Sequence, residues 1–264
     1  MNTETKNFQY DESFNPLKDY VCNGYDEAIS DKSQIRITYK KFLKWFNNQN
    51  YSELSKKDLD ANRLFKITGI TFNVYGDKDD TEKLIPFDMV PRIISSVEWE
   101  KVEKGVSQRI RAINSFLNDI YHNQEIIKAK ILPLELIYKN PAYLFQMVGF
   151  RPPNNIYNHI SGIDLIKTKA SEFYVLEDNV RVPSGISYMM KNRDIMINLF
   201  PELFAELPIR NSKLYPRNLS KFLKKSSPNS NIKSPVVAVL TPGVNNSAYF
   251  EHSYLADQMG VELV

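Results

Sequence analysis

The spacing of apolar side chains divides the chain into a sparse beginning, a helix-rich stretch, a pair of strands and a final mixed unit. Residues 1–30 are polar and aromatic with few periodic cues, and predict an irregular arm that packs through Tyr10, Phe14 and Tyr20. Helical periodicity begins at Ser33 to Asn47, with Ile35, Ile37, Phe42 and Phe46 among lysines. It resumes at Ser55 to Lys66, with Leu59, Leu64 and Phe65 behind a Ser55 cap. Ile70 to Tyr75 is β-rich, Gly76 to Asp80 is a turn cluster, and Lys83 to Ile94 is an apolar return broken by two prolines. Together they predict a hairpin with an interrupted second arm. Ser96 to Asn123 then predicts a long helix, capped by Ser96 and mostly core, with Val97, Val106, Ile110, Ile113 and Leu117 on a helical period.

Prolines from Pro133 through Pro141 to Pro153 favour loops and short elements. Residues 156–180 predict two strands around a polar turn from Lys167 to Ser171, and Gly185 to Leu199 a helix. Pro235 to Leu240 is a near-continuous apolar run, as in a strand buried on both faces. A Thr241-Pro242-Gly243 turn follows, then a helix from Ser247 to Met259 and the start of another strand at Val261 to Val264. That order is a βαβ unit stopping at its second strand. The fold class is therefore α+β grading into α/β: an arm over 1–30, a helical region with its hairpin over 31–225, and a Rossmann-like βαβ start over 235–264.

Composition changes this picture only by exclusion. Of 264 residues, 42% are hydrophobic and 25% charged, as in an ordinary globular protein. The balance of 34 basic against 31 acidic residues gives +3, with no long stretch of one sign, which argues against nucleic acid as partner. The basic run Lys221 to Lys225 leads into the Ser, Pro and Asn-rich segment Ser226 to Ser234 and reads as a solvated linker. Cys22 is the single cysteine, so a metal site must use oxygen or histidine ligands. No apolar run approaches the roughly 20 residues that span a bilayer, and the first residues lack a signal-peptide core, so a cytoplasmic protein is expected. The nine glycines form neither a Walker A nor a GxGxxG string.

Candidate chemistry concentrates in the second hairpin. Alternation places Gly162 and Asp164 on one face of its first strand, and Val175, Glu177 and Asn179 on one face of its second. With the turn centred near Lys169 and Ala170, Asp164 lies opposite Val175 and diagonal to Glu177, roughly 7–8 Å between backbones. Two carboxylates and an amide oxygen form a hard donor set suited to Mg²⁺, which keeps waters and bridges phosphates. On spacing alone, a polar strand end at Glu177, Asp178 and Asn179 explains the same residues. In the following Arg181-Val182-Pro183-Ser184-Gly185, Arg181 offers a bidentate partner for a carboxylate or phosphate. A helix start capped by Ser184 is compatible with that role.

Five strings carry a more specific signal: TFNVYGD at 71–77, PFDMVPRII at 86–94, HISGIDL at 159–165, YVLEDNVRVPSGISY at 174–188 and LTPGVNNSAYFEH at 240–252. In this order they resemble the circularly permuted ATP-grasp family related to glutathionylspermidine synthase. The resemblance implies a partial ATP-grasp fold in which ATP phosphorylates a carboxylate and an amine attacks the acylphosphate to give an amide. It implies ATP and Mg²⁺ as cofactors, with Asp164, Glu177 and Asn179 as metal ligands. Arg92, Arg181 and Ser184 are carried over as catalytic residues for the acylphosphate or a peptide-like substrate. Tyr249, Glu251 and His252 are carried over as substrate contacts in the loop after a strand, a natural ligand position in an open α/β sheet.

The resemblance also leads one to expect an incomplete catalyst, because members of that family continue past this point to supply phosphate-binding lysines and the adenine pocket. The expected partners are a small-molecule or peptide carboxylate and an amine, with no nucleic acid and no membrane. Two further readings stay open: a non-catalytic peptide- or polyamine-binding module with the same fold, and a phosphoryl-transfer or hydrolytic enzyme using the same acids.

Overall fold

The computed structural model describes residues 20–21, 24–30, 32, 34–69, 71–72, 83–84, 87–169, 172–229 and 231–264. Most of the predicted arm, Tyr10 and Phe14 included, lies outside the described residues, as does the turn Gly76 to Asp80. Tyr20 is half exposed and its hydroxyl donates to Asp26, so it does not pack inward as expected.

A short 3-10 turn, Ile37–Tyr39, leads into α1, Lys40–Asn47, and α2 follows over Tyr51–Ile67. Helix α2 begins earlier than the Ser55 cap predicted. Asn50 accepts from the Glu53 N–H at 2.8 Å and Glu53 reaches back to the Asn50 N–H, a capping box. Leu54, Ala61 and Phe65 form its buried stripe, while Leu59 and, before α1, Ile37 face solvent. The first hairpin is antiparallel as predicted, with β1 Thr71–Phe72 against β2 Lys83–Leu84.

Helix α3, Ser96–Ile120, is capped one residue earlier than expected: Ser95 accepts from the Glu98 N–H at 3.3 Å and Glu98 returns to Ser95. A Ser95→Ala substitution is expected to cost about 1 kcal/mol, read as a lower urea midpoint at unchanged slope. Only Val102 and Ile120 of α3 are fully buried, and Val97 is exposed. The helix is therefore a strut whose apolar period lies half covered, because its neighbours meet it at a few points along its length.

The proline-punctuated stretch gives two short helices, α4 Glu125–Lys128 and α5 Leu134–Tyr138, and 3-10 turns at Phe145–Met147 and Pro153–Asn155. Ile120, Tyr121, Ile137 and Tyr143 form a small core there, with the Tyr121 and Tyr143 rings stacked at 4.9 Å. The second hairpin pairs β3 Gly162–Lys169 with β4 Glu172–Asn179. Lys167 belongs to β3, not to the turn.

Helix α6, Ile186–Leu199, runs through the main core into α7, Pro201–Glu206. Phe42, Ala61, Phe65, Ile195, Leu199 and Phe200 meet there, and Trp45 packs edge-on to Phe200 at 5.1 Å. The basic run closes α8, Tyr215–Lys225. Finally β5 Ala238–Val239, α9 Tyr249–Met259 and β6 Glu262–Leu263 make the predicted crossover, with β5 and β6 parallel. The run Pro235 to Leu240 is not buried on both faces, since Val236 and Leu240 are 91% and 80% exposed. Among the described residues its sheet has two strands, which leave most of the run uncovered. Among the described residues no helix is long and apolar enough to cross a membrane.

Candidate active site on the outer face of the second hairpin

The inner face of the hairpin is fastened to α3 at three levels. Asn114 accepts from the backbone N–H groups of Tyr157 and Asn158 at 2.8 and 3.0 Å, just before β3. Asn158 donates to the carbonyls of Ile160 and Val180, tying the start of β3 to the exit of β4. Arg109 grips Asp178 with paired hydrogen bonds at 2.6–2.9 Å. The Arg109 guanidinium holds the Asp178 carboxyl below the usual carboxylate range. Lys167, its side chain 4% exposed, meets Glu98 at 2.7 Å and Glu27 at 3.6 Å.

With Lys167 and Asp178 fixed inward, Asp164, Glu177 and Asn179 are turned outward. The register differs from simple alternation. Asp164 stands directly opposite Glu177, but the next residue, Leu165, stands opposite Val175. Leu176 is thus the extra residue of a β-bulge. Leu176 and Glu177 are both exposed in succession, whereas Val175 is turned inward and does not share a face with Glu177 as predicted. Gly162 pairs with Asn179. Asp164, Glu177 and Asn179 therefore come together on one exposed face, and the two acids are closer than the diagonal placement predicted, about 4.5–5.5 Å between their Cβ atoms.

Across that pair two like charges face each other. Among the described residues neither carboxylate has a hydrogen bond or an ion pair, although a like-charged cross-strand pair is unfavourable on its own. Among the described residues no group of three or more His, Cys, Asp or Glu side chains forms a metal cage. Two acids and one amide oxygen open to solvent fit a hard, partly hydrated divalent cation such as Mg²⁺ better than a dehydrated protein-only site.

The loop after β4 is held over this edge. A Cβ on Gly162 would lie 3.0 Å from the Pro183 Cβ and 3.7 Å from that of Asn179, so glycine admits the loop. Gly162→Ala is expected to push Pro183 aside by tenths of an ångström and cost about 1 kcal/mol in urea unfolding. Arg181 and Ser184 are exposed on the loop. Ser184 is not the cap of α6. That position falls to Gly185 in a left-handed conformation (φ 108°), and Glu251 supplies the acceptor, taking the N–H groups of Gly185 at 2.8 and 3.0 Å and of Ser187 at 3.3 Å.

The remaining predicted residues fall elsewhere. Arg92 pairs with Glu27 at 2.5 Å, and Glu27 also meets Lys167, so Arg92 lies on the side of the hairpin opposite the exposed acids. Glu251 is 4% exposed and turned inward. His252 bonds through Nδ1 to the Thr241 hydroxyl at 2.9 Å, and Thr241 accepts from the Gly243 N–H at 3.2 Å. Tyr249 is half-buried in the first turn of α9. Arg109 and Lys167 were missed by reading the sequence alone. The signal was the inward phase of Asp178 and Lys167, each of which demands an opposite charge on the covering element.

The model of a circularly permuted ATP-grasp family matches residues 91–264, well over half of the chain and the whole of this site. The chain belongs to that family. Its curated relatives share the sequence along nearly all its length. An uncharacterized protein of Synechocystis sp. is 43% identical over 242 residues, covering 92% of this chain and 50% of that protein. One from Mycobacterium tuberculosis is 42% identical over 246 residues, covering 93% and 44%. A Frankia casuarinae protein named "Putative glutamate--cysteine ligase 2-2" is 35% identical over 250 residues, covering 94% and 28%. The ATP-grasp chain thus spans half or less of the length of these relatives.

Proposed function

We propose that the whole protein is an ATP- and Mg²⁺-dependent carboxylate-amine ligase, and that this chain supplies its metal-binding hairpin. The observation that carries the reading is the unneutralised Asp164–Glu177 pair, joined by Asn179 and open to solvent, in an ATP-grasp chain. The Frankia relative's name points to the same reaction class, carboxylate plus amine.

In this reading Asp164, Glu177 and Asn179 would hold Mg²⁺, which would supply positive charge against the phosphoryl group transferred from ATP to the substrate carboxylate. Arg181, exposed and free of intramolecular partners among the described residues, orients the carboxylate or phosphate with its planar fork, and Ser184 donates its hydroxyl beside it. Amine attack on the resulting acylphosphate then releases phosphate and forms the amide. Arg92 and Glu251 act behind the site as structural holders, and the resemblance of the sequence strings to the family related to glutathionylspermidine synthase suggests peptide-like substrates, for which Tyr249 and His252 on α9 are candidate contacts away from the metal ligands.

The test is to supply the whole protein with ATP, Mg²⁺, glutamate and a panel of amines and amino acids, and to follow ADP and product mass. ADP release that needs both a carboxylate and an amine, with a new amide mass, supports the ligase. ADP and phosphate release without an amide marks a hydrolytic or other phosphoryl-transfer enzyme, and absence of Mg²⁺-dependent ATP binding marks a non-catalytic binding module.

A further inference from the structure

We propose that Glu251 is a positioning residue for the loop Arg181 to Gly185, and that through it the β5–α9–β6 unit sets how tightly the site holds an anionic substrate. The inference rests on the ligase reading above and adds to it a dependence on a part of the chain that bears no metal ligand.

Glu251 is 4% exposed, yet among the described residues no cation pairs with it. Both its oxygens are committed to Gly185 N–H, and one also to Ser187 N–H, at 2.8–3.3 Å. A buried carboxylate is tolerable only when such bonds replace its hydration. The positive end of α6 supplies the compensating field, and α6 has no side-chain cap of its own near in sequence. The acceptor comes instead from α9, more than sixty residues further on.

The same loop is pinned at a second point, where Pro183 rests against Gly162. The loop is therefore set by two different units, the carboxylate hairpin at Pro183 and α9 at Gly185, and Ser184 is the residue between the two pins. Loss of the α9 anchor frees the Gly185 end while leaving Asp164, Glu177 and Asn179 in register. Charged-group placement within fractions of an ångström governs anion affinity, so the loop's side chains respond before the metal ligands do.

The experiment is a double-mutant cycle on the whole protein, with the non-hydrolysable nucleotide AMP-PNP and Mg²⁺ as probe in titration calorimetry. Glu251→Gln keeps the shape but removes the charge and one acceptor. Expected are weakenings of about tenfold for Glu251→Gln and for Ser184→Ala, with the double variant no more than about twofold weaker than either single one. Hydrogen exchange over residues 180–187 rises in Glu251→Gln while α1 stays protected. Should α1 lose protection as well, Glu251→Asp, with charge kept and reach shortened, replaces it. Unchanged affinity in a folded Glu251 variant, or penalties that multiply in the double variant, overturns the positioning role alone. A wild-type protein that does not bind the nucleotide overturns the ligase reading and this inference together.

Discussion

Asp164→Asn and Glu177→Gln are each expected to lower ATP-dependent amide formation by the whole protein on the order of a hundredfold or more, with little change in stability. Each substitution keeps an oxygen in place and removes the charge that a divalent cation needs. Each also relieves a like-charge contact on an exposed face, so unfolding free energy is expected to stay within about 0.5 kcal/mol of wild type. The measurement is steady-state ADP release across a Mg²⁺ series. Both variants should need more Mg²⁺ to reach a lower plateau. An unaltered rate and unaltered Mg²⁺ dependence would remove the metal role from both residues. Asp178 is the internal control: engaged by Arg109 on the inner face, it should act through stability and leave the Mg²⁺ response unmoved.

Lys167→Met is expected to cost about 3 kcal/mol, the lower end for breaking a buried pair, because Glu98 and Glu27 keep some exposure at 13% and 20%. The Lys167 side chain is 4% exposed, its ammonium lies over the Phe173 ring at 5.4 Å, and it is the cation paired with Glu98 while sharing Glu27 with Arg92. Urea unfolding of this chain reads the loss directly.

The pH dependence carries a second signature. Burial raises the Glu98 pKa, but hydrogen bonds from Lys167 and Ser95 outweigh it and leave the group below its usual range. Its stabilisation is therefore present above the unfolded value near 4.3 and is lost as pH falls through the lower folded value. Burial lowers the Lys167 pKa, and pairing with Glu98 and Glu27 more than reverses this. That contribution is complete below about 10.4 and is lost as pH rises through the raised folded value. Wild type should show a stability plateau between these limits, and the variant a shallower fall on both sides. Equal steepness in the two proteins would mean that the pair does not control the hairpin's attachment.

The sequence made the larger elements legible because each carries a regular apolar pattern, whether or not its neighbours fully cover it: α3, the β3–β4 hairpin, α6 and the βαβ ending. It also placed Asp164, Glu177 and Asn179 on one strand pair. The register stayed hidden because the bulge at Leu176 involves no glycine or proline, only an ordinary apolar residue with a second exposed residue beside it. Caps shifted by one residue at α3 and by several at α2, since serines sit at both the true and the predicted start of α3, and Asn50 outranked Ser55 by forming a box with Glu53. Glu251 misled for a different reason. A glutamate beside a turn reads as solvent-facing, and its inward use is visible only once α6 arrives from far away in sequence to present bare N–H groups.

A pleated strand counts in twos, and Leu176 changes the parity of that count. Upstream of it the odd-numbered residues Phe173 and Val175 are turned inward; downstream the even-numbered Asp178 is, meeting Arg109 of α3. A one-residue gap or insertion between 172 and 177 in any aligned chain would therefore exchange the duties of neighbouring acids, turning a ligand into a strut and a strut into a ligand. Alignments across this strand should accordingly be scored by which acid finds an arginine beneath it, not by the spelling of the Glu-Asp-Asn string.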